Sequence, residues 1–369
     1  MRKTLILLWL VLSLVACHQS GSHVSEQQGD TLRLKYAENL TIVRYADHAV
    51  VELKNPWKAG TVLRRYVLCT DSSQKYSARG ATVVQVPLKR AVVFTTAHAS
   101  LLAMLHQEGR LAGVCDSRYM LLPWVHEGIR RGTVVDCGSG MSPDVEKIIE
   151  LKPDGLFVSP FENSGGYGRL EDIRIPLIET ADYMETSALG RAEWMKFYGM
   201  LFGCESQADS LFAVVEKNYR QLRQRASKSR TRMTVIPDRK TGSVWYMPGG
   251  RSSVGRLYQD ANVGYAFSRD THSGSLALPF ETVLDKAGDA DVWILSYNGA
   301  MTRRQLLAEY SGYGALKAFK KGAVYGVSVD RTPYFEEVSF RPDWLLRDYL
   351  ILFHPDLHLG ATRYYKQLP

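Results

Sequence analysis

The first question is which side chains have the types and spacing for chemistry. No Gly-x-x-x-x-Gly-Lys-Ser/Thr run is present, so the amide cradle and lysine that hold nucleotide phosphates are missing. Gly-x-Ser-x-Gly is absent, as is Gly-x-Gly-x-x-Gly after a strand, and no Cys-x-x-Cys or His-Glu-x-x-His spacing announces a metal. Gly138-Ser139-Gly140 precedes a helical pattern, where free amides would suit an anion. What remains is a set of aromatic rings, arginines and histidines in loops. In the first half these are Thr96, His98, Arg118, Tyr119, Phe161, Asn163 and Tyr167. In the second they are Tyr246, Arg251, Arg269, His272, Tyr297, Asn298, Arg331, Tyr334 and Glu336. Rings stack on flat ligands and guanidinium forks take carboxylate or phosphate, so the set describes binding of a large, flat or rim-polar molecule. His98 and His272 would ligate a metal directly if they faced each other. No nucleophile and base are spaced for catalysis, and the expectation is a binding protein with no catalytic residues and no resident cofactor or metal.

These side chains matter together only if the fold collects them, and open α/β sheets do so at the carboxyl ends of their strands. The pattern is of that kind. Residues 91–94 form a short apolar strand, Thr95 or Thr96 can cap a helix through Leu101, Leu102 and Leu105, and residues 111–116 return as a strand. Ser142 with Pro143 reads as the start of the next helix, ending at Lys152-Pro153, with a strand at 155–159 and residues 173–178 beyond it. After residue 230 the grammar repeats. Strands are expected at 233–236, 243–247, 291–295 and 323–327, with helices near 254–261 and 279–284, a capping box at Thr302-Arg303-Arg304-Gln305, and a closing helix over 342–353. The helix-then-strand runs at 143–159 and 279–295 look like an internal repeat.

Between the halves, apolar residues recur at helical spacing from Leu189 to Leu201 and again from Leu211 to Leu222. Gly203-Cys204-Glu205 interrupts them, and Ser206 to Asp209 reads as a fresh capping box. This predicts one long kinked helix, or two end to end, over 183–229. Residues 32–87 form a β-rich extension read as an antiparallel meander packed on the first lobe. The fold class is therefore α/β, with Rossmann-like lobes at 88–182 and 230–369 joined by a long backbone helix.

The 369 residues, 45% of them hydrophobic, suffice for two ordinary cores. Arg2-Lys3 and an apolar run to Val15 describe a signal peptide over 1–16. Leu14-Val15-Ala16-Cys17 resembles the lipobox of bacterial lipoproteins, in which the cysteine is lipid-modified. Residues 17–31 then form a lipidated flexible tether. No twenty-residue apolar run follows, so a membrane attachment through lipid is expected and not a span. The formal charge of +8 falls to +6 once Arg2 and Lys3 leave with the leader. Apart from a short run at 223–232 the basic residues are scattered, no nucleic-acid motif accompanies them, and the membrane address argues against that class of partner. Of the cysteines beyond Cys17, Cys115 and Cys137 are the pair to test for a disulfide, with free buried thiols the alternative.

Three segments carry a family resemblance. They are Arg90-Ala91-Val92-Val93-Phe94 through residues 111–116, the run from Val145 through Glu150-Leu151-Lys152-Pro153-Asp154 to Val158, and Arg341-Pro342-Asp343-Trp344-Leu345-Leu346 ending His354-Pro355-Asp356-Leu357. From Arg90 to Leu357 the chain resembles the substrate-binding lipoproteins of ABC importers for iron chelates and cobalamin, the class III periplasmic binding proteins. The resemblance implies two Rossmann-like lobes on a rigid helix, and an iron chelate (siderophore or haem) or a corrinoid held between them. It implies a monomer anchored at a bacterial membrane, in the periplasm, that delivers its ligand to an ABC permease and its ATPase subunits. It also implies that Glu146 and Glu281, at matching helix starts, pair with permease arginines; helix-dipole compensation explains them equally well. The other readings are a bare metal-ion binder using His98, His272 and acidic neighbours, or a two-lobed glycosyltransferase-like or chelatase-like enzyme. The β-rich extension lies outside the family pattern.

Overall fold

A computed structural model describes residues 29–71, 76, 80–162 and 166–369. The signal segment, Cys17 and Asn163 lie outside the described residues.

The chain opens with β1 (Asp30–Leu32), β2 (Leu40–Arg44), β3 (His48–Lys54), β4 (Val62–Cys69) and β5 (Thr82–Gln85), hydrogen-bonded in that order. Leu40 and Ile42 on β2, and Ala49, Val51 and Leu53 on β3, alternate inward at the strand period of two. The sheet is not a pure meander: β4 and β5 run parallel, because the chain crosses back before β5. Hydrogen bonds tie this sheet to the α/β part of the chain. The buried Tyr66 hydroxyl donates to the Leu177 carbonyl (3.1 Å) and accepts from the Glu179 amide (2.8 Å). The carboxylate of Glu193 takes the amides of Lys35, Tyr36 and Ala37, and Glu185 takes those of Glu38 and Asn39.

The first lobe comprises β6 (Ala91–Val93), α1 (Thr96–Met104), β7 (Leu111–Val114), α2 (Pro123–Arg131), β8 (Val135–Asp136), the short pair β9 (Gly138–Ser139) and β10 (Ser142–Pro143), α3 (Val145–Leu151), β11 (Gly155–Val158) and β12 (Leu177–Glu179). Its sheet, ordered β12-β11-β6-β7-β8, is parallel throughout, and the wholly apolar β6, β7 and β11 are buried, as expected for a sheet covered on both faces. Thr95 caps α1 by accepting from the His98 amide. The start of α3 differs from expectation: Ser142 and Pro143 pair with β9, and Asp144 is the N-cap, accepting from the Lys147 amide.

The connecting segment is three helices, not one kinked rod: α4 (Ala188–Glu193), α5 (Met195–Phe202) and α6 (Glu205–Lys228). Trp194, Phe197, Tyr198 and Leu201 are buried, Tyr198 stacks on Phe157 of β11, and α5 packs against α6. Gly203 makes the break at φ +67, and Gly199 lets α5 cross the start of α6, since a Cβ there would meet that of Ala208 at 2.7 Å. The expected capping box at Ser206 does not form, because α6 has already begun at Glu205 with Cys204 before it. At 24 residues, α6 extends roughly 36 Å.

The second lobe contains β13 (Thr234–Pro237), β14 (Lys240–Thr241), β15 (Val244–Pro248), α7 (Ser253–Asp260), β16 (Gly264–Tyr265), β17 (Ser275–Leu278), α8 (Phe280–Ala287), β18 (Val292–Tyr297), α9 (Arg303–Glu309), α10 (Lys317–Lys320), β19 (Val324–Ser328), α11 (Tyr334–Glu337), α12 (Pro342–Phe353) and β20 (Lys366–Gln367). Its sheet runs β16-β13-β18-β19-β20, parallel except for β20. The repeat is visible here: α3–β11 and α8–β18 each deliver a strand beside the first strand of their lobe. One continuous core runs from the N-terminal sheet through the first lobe and α4–α6 into the second lobe. All four described cysteines are free and buried, Cys115 and Cys137 included; burial pushes the Cys115 thiol well up and that of Cys137 to about 11. Among the described residues no helix is long and apolar enough to cross a membrane.

Candidate functional site

The carboxyl ends of β6, β11 and β12 face those of β13 and β18 across a cavity of about 830 Å³. The first lobe contributes Thr95, Thr96, His98, Ser159 and Asp182–Met184; α4 adds Ala188 and Arg191; the second lobe adds Asp238, Tyr246, Tyr258 and Ser296, with Tyr334, Phe335, Tyr349 and Tyr365 behind. This is where an open α/β sheet collects ligand groups.

One polar chain is built into the first-lobe wall. Asp182 is 1% exposed; its Oδ1 meets His98 Nε2 at 3.0 Å and its Oδ2 accepts from Arg191 Nε at 3.0 Å. Thr95 Oγ1 lies 2.6 Å from His98 Nδ1. The imidazole stacks on Tyr198, ring centroids 5.5 Å apart. Burial works to raise the Asp182 pKa, but His98 and Arg191 outweigh it and hold the carboxyl below its ordinary value. Arg191 is the lone arginine of the lining, held by one edge to Asp182.

The opposite wall is phenolic. Tyr334 and Tyr365 hydroxyls lie 3.3 Å apart, and the Tyr258 and Tyr349 rings meet at 5.4 Å. Burial raises the Tyr334 phenol to about 12, so the ring stays neutral. Tyr246 and Phe335 are about half exposed and offer open aromatic faces.

Of the residues picked out from the sequence, His98, Tyr246 and Tyr334 line this cavity, with Thr96 beside them. The others do not. Arg118 lies 4.5 Å over the Tyr119 ring on an exposed turn, each satisfying the other. Phe161 is exposed beyond β11, and Tyr167 packs on the apolar far side of the first sheet. The Arg251 amide bonds the His272 carbonyl, while the His272 imidazole turns to Asp270 at 3.1 Å. Tyr297 packs over Gly326, whose missing Cβ leaves room for the ring, and Arg331 is exposed. Asn298 and Arg269 are exposed as well. His98 and His272 therefore do not face each other, and both ring nitrogens of His98 are already engaged. The Gly138–Gly140 turn holds no free anion cradle, because Asp136 takes the Gly138 amide and Asp116 that of Gly140. Glu146 forms an exposed ion pair with Arg169 at 2.8 Å, which lowers its pKa; Glu281 occupies the matching first turn of α8.

The family model whose description is periplasmic binding protein matches residues 92–329, well over half of the chain. This chain belongs to the periplasmic binding protein family. An uncharacterised lipoprotein of Methanocaldococcus jannaschii is 24% identical over 356 residues, covering 90% of this chain and 84% of the relative. Among solved structures, the fold is shared with a periplasmic heme-binding protein of Pseudomonas aeruginosa (14% identity, TM-score 0.57, covering 76% of this chain and 98% of that one). It is shared too with an ABC-type Fe3+-hydroxamate transport system protein of Saccharomonospora viridis (16%, 0.55, 72% and 93%). In this periplasmic binding protein the residues missed from sequence include Asp182, Arg191, Asp238 and Phe335, with Tyr258, Tyr349 and Tyr365 of the phenolic wall. Asp182 and Asp238 each follow a strand, which is a readable signal. Arg191 sits inside a helical pattern that does not reveal which side faces a cleft.

Proposed function

We propose that this binding protein captures an iron chelate between its lobes and hands it to an ABC permease and its ATPase. The observation that carries the reading is the cavity itself. Its volume lies toward the upper end of the roughly 300–1,000 Å³ of small-molecule sites. Open Tyr246 and Phe335 faces suit a flat or ring-bearing ligand, and the outer edge of Arg191 suits its oxygen donors. Proteins of the same fold named for heme and for Fe3+-hydroxamate transport support an iron chelate ahead of a corrinoid. A bare metal ion fits less well: among the described residues no group of three or more His, Cys, Asp and Glu side chains is placed to hold one. An enzymatic reading would use Thr95, His98 and Asp182 as nucleophile, base and orienting group. Thr95 Oγ1 instead caps α1, accepting from the His98 amide, which favours a structural role.

The test is spectroscopic. Purified protein titrated with a ferric trihydroxamate and with haemin is expected to form a coloured 1:1 complex with one of them, seen by absorbance and native mass spectrometry. An unchanged spectrum and mass with both removes the iron-chelate reading.

Delivery needs a membrane address and a docking face. The proposed address is a lipid on Cys17, in keeping with the lipoprotein naming of the relative. Glu146 is engaged by Arg169 while Glu281 has no such ion pair among the described residues, so Glu281 is the more available partner for a permease arginine. In cells carrying the importer, Cys17→Ser and Glu281→Lys are each expected to reduce uptake without changing ligand affinity in vitro. Normal uptake by either variant removes the corresponding role.

A further inference from the structure

We infer that the ligand carries a cationic group, which this protein holds against Asp238; the inference rests on the iron-chelate reading above and adds a charge requirement to it. Asp238 sits immediately after β13, at the mouth of the second-lobe sheet, and lines the cavity. Its main chain is pinned: the amide donates to the Ile294 carbonyl (2.7 Å) and its carbonyl accepts from Trp293 Nε1 (2.6 Å). Held this way it adopts φ +58, a conformation that non-glycine residues rarely take and that aspartate and asparagine tolerate best.

The carboxylate has no hydrogen-bond or ion-pair partner among the described residues. The two cations next to it in sequence are turned elsewhere. Arg239 pairs with Glu309 at 3.4 Å, and the Lys240 ammonium stacks 4.1 Å over the Tyr310 ring. Across the cavity, Arg191 is already half neutralised by Asp182. Asp182 is answered by both His98 and Arg191, whereas Asp238 has no such partner, and a wholly anionic ligand would leave Asp238 repelling it. A ligand ammonium answers that charge, and neighbouring tyrosine rings are hospitable to a cation through their faces. The groups whose charge or dipole Asp238 feels are Arg239, Tyr258, Tyr265, Tyr334 and Tyr349, from β16, α7, α11 and α12 as well as its own loop. Asp238 is exposed on its cavity side while protein crowds its other sides, and this partial desolvation raises its pKa to about 6.

The experiment compares a ferric trihydroxamate bearing a pendant primary ammonium with its N-acetylated form, by quenching of intrinsic fluorescence. The ammonium form is expected to bind on the order of tenfold tighter at about pH 7.5, with the preference shrinking at about pH 5 as Asp238 takes up a proton. Asp238→Asn, which keeps the size and tolerates the same backbone, is expected to erase the preference. Equal binding of the two forms by the wild-type chain keeps the iron-chelate reading and overturns this inference, as does a preference that survives in Asp238→Asn. Binding of neither form overturns the inference together with its hydroxamate basis.

Discussion

Asp182→Ala is expected to cost about 3–5 kcal/mol of stability, the range for breaking a buried ion pair from one side. The carboxylate is the common partner of His98 and Arg191, and no other described residue meets either of those nitrogens. Removing it strands a buried imidazole and frees the guanidinium from its fixed orientation. Replacing it by asparagine keeps one acceptor and is expected to cost less. In thermal melting the alanine variant should fall by on the order of 10 °C. Ligand binding should weaken even where the protein is still folded, because Arg191 no longer points one way. A loss below about 1 kcal/mol, in the range of a surface pair, would show that Asp182 does not hold this wall together.

The same site sets the sign of a pH effect. The Asp182 pKa is lowered in the folded chain, so its contribution is fully present above the ordinary carboxyl value of about 3.9 and is lost as pH falls through the lowered value. Asp238 works in the opposite sense. Its pKa is raised to about 6, so its ionised form opposes folding above that pH, only weakly because the side chain is exposed in the cavity, and the opposition is relieved as pH falls toward about 4. Melting profiles should therefore show Asp238→Asn more stable than wild type near neutrality and level with it at about pH 4, while the deficit of Asp182→Asn narrows only below that. An Asp238→Asn variant with no gain at neutral pH would count against an uncompensated carboxylate in the cavity.

Much of the scaffold was legible because it is written in repeating patterns. The apolar strands beside helical runs, the Thr95 and Thr302 caps and the Pro342–Phe353 helix all follow from local spacing. The strand-end rule then leads to His98, Tyr246 and Tyr334. The same rule names Arg118, Phe161 and Arg331 as readily, because sequence places a side chain in a loop without saying which way it points. Asp182 is hidden in the sequence because β12 spans Leu177–Glu179, later than the apolar run at 173–178 suggests. The breaks in the connecting segment before its long helix α6 are hidden for a different reason. Helical periodicity persists across Trp194 and Gly203, yet α5 buries Phe197 and Tyr198 and packs against α6, and periodicity carries no information about tertiary direction.

Glu336→Ala is expected to separate the lobes. Glu336 belongs to α11, on the second-lobe side of the cavity, and is 2% exposed. Its Oε1 accepts from the Thr96 hydroxyl at 2.7 Å and from the Leu121 amide at 2.8 Å, both in the first lobe. Phe340, just beyond α11, places its ring 6.2 Å from His98 and 6.1 Å from Tyr198, so an aromatic contact crosses the same seam. With one core shared by both lobes, these contacts make a joint that is already assembled without ligand. Scattering profiles of free and loaded wild-type protein should then nearly superimpose, since no wide hinge motion is available. Removing the carboxylate leaves the Leu121 amide and Thr96 hydroxyl without their acceptor, at a cost on the order of 3 kcal/mol. Glu336→Gln retains an acceptor oxygen and should be milder. The free alanine variant should scatter as a larger particle, contract when loaded, and bind more weakly, because part of the binding energy must now close the lobes. If its free profile matches that of wild type and its melting is unchanged, Glu336 does not hold the joint, and the rigidity must reside in the shared core alone.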